Sequence, residues 1–357
     1  MDFTATLLGW FKKNHRDLPW KNTKDPYKIW LSEIILQQTR VEQGYSYYLR
    51  FTGQYPTVEA LAAAPLDEVL KLWQGLGYYS RARNLHITAQ AVVAHHNGQF
   101  PTSVSGLLSL KGIGEYTAAA IASFAFDEPA PALDGNGYRI LTRMFGIHTP
   151  IDSSEGKKTL RTLAQELISQ RYPADFNQAL MDFGSLVCVP KTPKCAECPL
   201  NEGCYAFRTK KVAELPVKSR KPEIRTRYFH YFIVQEKRHV YLHQRSKNDI
   251  WKGLYEFPLI ETETEISPEK IPAQPDWKKL FSGGKVQIIR FSPLIKHQLT
   301  HQTLWARFYL VKMDTIPQTL LQHYLCVPLQ DFERHSIPRL IDAFLEKNAE
   351  NFGIIPK

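Results

Sequence analysis

No apolar run in this sequence is long enough to cross a membrane. The longest uncharged stretch of small and apolar residues, Ala118–Phe126, is about half of the roughly 18 residues a spanning helix needs. The first residues, MDFTATLLGWFKKNHRDLPW, lack the order of a secretory signal, which places a basic end before an apolar run and a small-residue cleavage site. A cytosolic protein without a membrane partner is expected. Cysteine is scarce, five in 357 residues, and a cytosolic chain has little use for disulfides. Internal repeats and low-complexity segments are absent, and strand signals hardly occur before residue 207. With 43% hydrophobic and 22% charged residues the chain is not disordered either. At about 150 residues per domain, its length suits two domains better than one.

Basic residues are in excess. Lys plus Arg number 45 against 35 Asp plus Glu, a formal charge of +10. Much of that excess is local: Arg208, Lys210, Lys211, Lys218, Arg220, Lys221, Arg225 and Arg227 face only Glu214 and Glu223. Such a stretch reads either as a solvated linker or as a strap lying on phosphates, where each neutralised phosphate releases a counterion.

The stretch also separates two kinds of periodicity. Before it the pattern is helical. Asp25-Pro26 reads as an N-cap and first-turn proline, followed by an amphipathic helix carrying Ile29, Trp30, Ile34, Leu36 and Val41. Similar patterns recur over Leu61–Leu76, Arg83–His95, Leu107–Phe126, Arg139–Phe145, Lys158–Gln170 and Phe176–Val187. Beyond the stretch, Tyr228–Val234 and Val240–Gln244 read as a hairpin, Val286–Phe291 and Leu304–Val311 as strands, and Ile337–Leu345 as a helix. The expected architecture is multi-domain: an all-α domain over 1–207, a basic linker over 208–227, and an α/β domain over 228–357.

Four of the five cysteines, Cys188, Cys195, Cys198 and Cys204, are spaced C-x6-C-x2-C-x5-C. Metal binding is the expected use, as tetrahedral zinc or a [4Fe–4S] cluster. Zinc sites usually pair two C-x2-C knuckles and only one is present, whereas a cuboidal cluster tolerates uneven spans. Cys326 stands alone and reads as a packing residue.

Leu110-Lys111-Gly112-Ile113-Gly114-Glu115-Tyr116-Thr117-Ala118 lies between two helical patterns. Gly112 and Gly114 permit a tight turn, and the N–H groups opening the next helix suit a backbone phosphate, the helix-hairpin-helix arrangement. Two acids complete the pattern. The ordinary reading of Glu33 is an exposed residue on a polar stripe with Gln37 and Arg40. Surrounded instead by Trp30, Ile34, Ile35 and Leu36, its pKa would rise and suit a proton donor. Asp134, in Leu133-Asp134-Gly135-Asn136, reads as an N-cap. Paired carboxylates are also what glycosidic cleavage uses, one as acid and one to stabilise an oxocarbenium ion.

DLPW (17–20), SEIILQQTRV (32–41), QGLGYYSRARNL (74–85), LKGIGEYTAAAI (110–121), LDGN (133–136) and the four-cysteine run together resemble the endonuclease III superfamily of helix-hairpin-helix glycosylases, and within it the MutY-type adenine DNA glycosylases. The resemblance spans the whole chain. It implies a [4Fe–4S] cluster in the loop 188–204 and, as partner, double-stranded DNA carrying A·8-oxoguanine or A·G mispairs. It further implies a monomer working on the nucleoid of a bacterial cytoplasm. Glu33 would protonate the adenine leaving group and Asp134 would stabilise or trap the sugar cation, with Asn136 and Tyr116 in support. Gln38 would fill the gap left by the flipped base, Tyr78 would wedge beside it, and Arg16 and Gln178 would line the pocket. Tyr116 occupies the position of the lysine nucleophile of bifunctional relatives, which implies a monofunctional enzyme, and Lys111 would face phosphate.

The second domain resembles a Nudix fold through Trp251-Lys252-Gly253-Leu254-Tyr255-Glu256-Phe257-Pro258 but lacks the R-E-x-x-E-E metal-binding run. The resemblance makes it a reader of 8-oxoguanine. Leu299, Thr300 and His301 stand where the family usually has Phe-Ser-His, and an ordinary polar turn is the plain alternative. Gly137 departs from the family's branched apolar residue and would loosen the backbone that aims Asp134 and Asn136. Two other functions compete: a non-catalytic iron–sulfur protein that binds DNA lesions, and a thymine or uracil mismatch glycosylase.

Overall fold

The computed structural model describes residues 2–219, 224–282 and 285–354. It divides into one unit formed by Met1–Ala64 with Asn84–Arg220 and a second formed by Pro65–Arg83 with Lys221–Lys357. The division thus falls inside the basic stretch, and the recruitment of 65–83 to the second unit has no sequence signature. Arg220–Glu223 of that stretch lie outside the described residues.

The first unit is helical. Helix α1 spans Phe3–Asn14 and α2 spans Pro26–Leu36, with the Asp25 side chain accepting from the Tyr27 amide at 2.9 Å. Two features of α2 differ from expectation. It stops at Leu36, because Gln38 has a left-handed backbone (φ 54°), and Val41 starts the next helix, Val41–Gln54. Nor is it amphipathic: Tyr27 and every residue from Ile29 to Ile35 are buried, so α2 runs through the interior. The pattern expected over Leu61–Leu76 breaks into Val58–Ala63 and, in the second unit, Leu66–Leu72, since Pro65 cannot continue a helix. That over Leu107–Phe126 breaks at the glycine hairpin into Val104–Leu108 and α3 (Glu115–Phe126). Helices α4 (Gly135–Phe145) and α5 (Pro173–Leu186) pack with α1 around Leu7, Phe11, Leu141, Leu160, Phe176 and Phe183.

The start of the basic stretch is docked on this unit. Leu215 is buried, Val217 accepts from the Ile151 amide at 3.0 Å, and the Ser219 amide and hydroxyl bond Asp152.

The second unit contains a mixed sheet in the order β3-β2-β1-β7-β5. Its strands are β1 (Arg225–Glu236), β2 (His239–Gln244), β3 (Tyr255–Glu256), β4 (Leu259–Thr262), β5 (Val286–Phe291), β6 (Ile295–Gln298), β7 (Gln302–Met313) and β8 (Leu325–Pro328). The expected hairpin is present, Glu236 opposite His239, while β1 and β7 run parallel from Arg225↔Gln302 to Val234↔Val311. Alternation along β1 fills two cores: Phe229, Tyr231 and Ile233 on one face, Phe232 and Val234 on the other. Helix α6 (Arg339–Asn348) covers the first face, where Phe344 stacks on Phe308 with ring centroids 3.8 Å apart. Arg227 is no phosphate strap. It is buried and paired with Asp249 at 2.7 Å and Glu261 at 2.6 Å.

Candidate active site

The burial of α2 decides the character of Glu33. Its residue is 8% exposed, and desolvation raises its pKa to about 7, with the Asp134 charge pushing the same way and the Tyr116 hydroxyl partly offsetting both. The exposed-stripe reading is therefore overturned, for a physical reason: the helix has no solvent face at Glu33.

Asp134 is an N-cap that also lines the cavity holding Glu33. Its Oδ1 accepts from the amides of Asn136 at 2.9 Å and Gly137 at 2.8 Å, and its Oδ2 from the Asn136 side-chain amide at 2.8 Å. Burial raises its pKa while these donors and Arg139 oppose the rise. Tyr116 sits in the first turn of α3 with its pKa pushed well up by burial and by the two carboxylates, so it remains a neutral phenol. Arg16, Glu33, Tyr116, Asp134, Asn136 and Gln178 all line one cavity of about 210 Å³.

The geometry adds residues that the sequence reading passed over. Lys21 lines the same cavity, and Asp182 behind it binds Lys21 at 2.6 Å and Arg16 at 2.7 Å. A lone acid within the apolar run of α5 was the available signal. Arg139 is 7% exposed and ties the site together: it donates to the Asn136 side-chain oxygen at 2.7 Å, the Gly184 carbonyl at 2.8 Å and the Cys188 carbonyl at 2.7 Å. One turn on, Arg143 donates to the carbonyls of Val189, Pro190 and Leu215 and lies 3.5 Å from the Cys188 sulfur. Gly184 is needed where it stands, because a Cβ there would overlap Asn136.

Gly137 is a different case. Its backbone is helical, and the one close contact of an added Cβ would be the Cδ2 end of Leu133 at 2.9 Å, with Asp134 Oδ1 at an ordinary 3.8 Å. Gly137→Ala is expected to raise stability by about 0.5–1 kcal/mol, a melting shift of about 1–4 °C. Thermal denaturation checks it.

The four thiols lie together and half-buried around a small cavity of about 30 Å³ bordered by Arg143 and Lys194, with Cys188, Cys198 and Cys204 against the α1–α4–α5 core. Burial and the neighbouring sulfurs push Cys198 up to about 11. Among the described residues, no three Cys, His, Asp or Glu side chains converge on a point as ligands of one metal ion. Cys326 is exposed on β8, not a packing residue.

The remaining expected residues lie outside the cavity. Gln38 is exposed at its left-handed turn. Gly112 (φ 77°) and Gly114 border a separate groove that runs past Tyr116, Gly114 caps α3, and Lys111 is exposed. Gly112 also lies against Asn84, with no room for a Cβ. Tyr78, Leu299, Thr300 and His301 belong to the second unit. There Tyr78 (φ 47°) hydrogen-bonds the Thr300 hydroxyl, and Leu299 is half-buried against the sheet core. Residues 299–301 form the β6–β7 turn, closed by the Leu299 amide on the Gln302 carbonyl at 2.8 Å.

The buried acid and the glycine hairpin both lie within the stretch that matches a family of base excision DNA repair proteins. Residues 31–169 match the HhH-GPD superfamily of base excision DNA repair proteins, and residues 230–347 match the NUDIX domain. The adenine DNA glycosylase of Buchnera aphidicola subsp. Acyrthosiphon pisum (strain APS) is 32% identical over 354 residues, 98% of each chain. That of the Baizongia pistaciae subspecies (strain Bp) is 37% identical over 306 residues, 85% of this chain and 84% of its own. A solved thermostable thymine-DNA glycosylase is 32% identical with a TM-score of 0.55, covering 58% of this chain and 95% of its own. The chain belongs to the adenine DNA glycosylase family, hydrolases of N-glycosidic bonds that act in base excision repair. Among the described residues, no helix is long and apolar enough to cross a membrane.

Proposed function

We propose that the protein excises adenine opposite 8-oxoguanine or guanine as a monofunctional glycosylase, working as a monomer on nucleoid DNA in a bacterial cytoplasm. The observation that carries this reading is a buried glutamic acid with a pKa near neutrality sharing one cavity with an aspartate that caps a helix. With the adenosine flipped out of the stack, protonated Glu33 gives its proton to the departing base as the N-glycosidic bond breaks. Asp134, aimed by its three donors, stabilises the positive sugar until water adds at C1′. Tyr116 and Asn136 hold the two carboxyls in place. Tyr116, at the lysine position of the bifunctional relatives, offers no amine for a Schiff base.

Gln38 and Tyr78, both held in left-handed turns, are suited to enter the gap and wedge beside it. Lys111, Gly112 and Gly114 seat a backbone phosphate. Thr300 and His301 read the 8-oxoguanine, with Leu299 as their apolar neighbour. Cys188, Cys195, Cys198 and Cys204 hold a [4Fe–4S] cluster: thiols arranged around a cavity rather than a point suit a cuboidal cluster better than one zinc ion. The cluster supplies rigidity to the loop that carries Lys191 and Lys194. The domain reading of 1–207, linker 208–227 and 228–357 stands beside the contact division near residue 220.

A duplex with one adenine opposite 8-oxoguanine tests the reading under single-turnover conditions. Strand breaks are expected only after alkali, with T·G and U·G duplexes intact. Breaks without alkali would make the enzyme a lyase, and tight binding without any alkali-labile site would make it a non-catalytic lesion binder. The similar thymine-DNA glycosylase matches only 58% of this chain, which leaves the second unit unexplained on a mismatch-thymine reading.

A further inference from the structure

Asp182 is a charged group that the proposed chemistry does not use. It lies on α5, 0% exposed, next to the cavity without lining it. A carboxylate that deep is costly unless its oxygens are met. They are: Oδ1 accepts from Arg16 Nε at 2.7 Å, and Oδ2 accepts from the Arg16 amide at 3.1 Å and from Lys21 Nζ at 2.6 Å. Burial lowers the Lys21 pKa, the Asp182 hydrogen bond and charge raise it, and the neighbouring Arg16 lowers it again. One acid therefore holds two like charges side by side on one wall.

Each cation is only partly used by this contact. Among the described residues, the two terminal amino groups of Arg16 have no hydrogen-bond partner, and neither do two of the three donors on Lys21 Nζ. Both side chains line the cavity beside Glu33 and Gln178, and the Gln178 side-chain amide likewise makes no hydrogen bond among the described residues. A purine leaving a sugar gathers electron density on its ring nitrogens. Oriented N–H groups stabilise that density, but only while they are held in place.

We propose that Asp182 is a positioning residue for base release, which acts through Arg16 and Lys21 by aiming their free N–H groups at the acceptor nitrogens of the departing purine. The proposal rests on the glycosylase reading above. It gives Lys21 a contact with the base and Asp182 none.

The test uses the full-length chain, with Asp182→Asn, Lys21→Met and the double variant. Two quantities are measured: single-turnover release from an A·8-oxoguanine duplex, and affinity for the same duplex carrying tetrahydrofuran in place of the adenosine. Asp182→Asn is expected to slow release by about 10²-fold. Its tetrahydrofuran affinity stays within about twofold, since that site has no base to contact and only the backbone grip is read. The double variant is no slower than the slower single one, because both changes remove the same contact. Release near the wild-type rate, multiplicative effects in the double variant, or affinity lost in step with the rate would each overturn the proposal. If Asp182→Asn does not fold, Lys21→Met decides alone: slower release with unchanged tetrahydrofuran affinity supports the contact, and an unchanged rate overturns it. A wild-type chain that frees no adenine from any duplex overturns the glycosylase reading, whereas wild-type release matched by Asp182→Asn overturns only the role of Asp182.

Discussion

Glu33→Gln is expected to slow adenine release by about 10³-fold while duplex affinity holds, because the amide keeps the shape of the acid but has no proton to give. The pH dependence follows from the same burial. With the folded-state pKa near 7, release runs level at lower pH and falls about tenfold per unit above it. Asp134→Asn removes a charge that raises the Glu33 pKa, so in that slower variant the falling limb moves to lower pH.

Stability carries the same signature with a definite sign. Burial raises the pKa of Glu33 from 4.5 to about 7, so the folded state keeps a proton that the unfolded chain has already lost. That contribution is complete below 4.5 and disappears as pH rises through 7, a slope worth about 3 kcal/mol in total. Glu33→Gln removes the slope. It should melt above the wild type at pH 8 and close to it at pH 4.5. Melting curves at the two pH values, beside single-turnover rates from pH 5 to 9, check both halves. A variant that keeps its rate, or a wild type without the falling limb, removes Glu33 from the role of acid.

Why Glu33 reads as a surface residue in sequence and an interior one in structure is instructive. Periodicity reports which positions along a helix are apolar, but not how many neighbours surround it. Helix α2 is packed between the next helix, Val41–Gln54, and α3, which lies some 80 residues further along the chain. Motifs built on local rules were legible. The Asp25 and Asp134 caps, the glycine hairpin and the β1–β2 hairpin each depend on residues a few positions apart. The partnerships of Asp182 with Arg16 and Arg139 with Cys188 span 166 and 49 residues and have no local pattern. The same holds for Arg227, whose place in a basic run gave no sign of Asp249 and Glu261 around it. The grouping of 65–83 with the second unit is likewise a product of tertiary packing.

Arg139 has the second large expected effect, because it connects the cysteine loop to the aspartate through direct bonds. The Cys188 carbonyl accepts from its Nε, its terminal amino group donates to the Asn136 oxygen, and the Asn136 amide donates to Asp134 Oδ2. Arg139→Met fills a similar volume but leaves the Cys188 and Gly184 carbonyls without this donor and lets the Asn136 side chain turn. A loss of about 3 kcal/mol is expected, or about 6–12 °C in melting temperature, together with release slowed by about 10²-fold in the protein that stays folded. Arg143→Met is the control from the same helix, one turn on. It releases the carbonyls of Val189, Pro190 and Leu215 but touches neither Asn136 nor Asp134, so it should lower stability to a similar degree and leave the rate per folded molecule within a few-fold. Equal rate losses in both variants would mean that the cysteine loop, rather than the Arg139–Asn136 bond, sets the aim of Asp134. A loss confined to Arg139 would locate that control in a single hydrogen-bonded chain from Cys188 to Asp134.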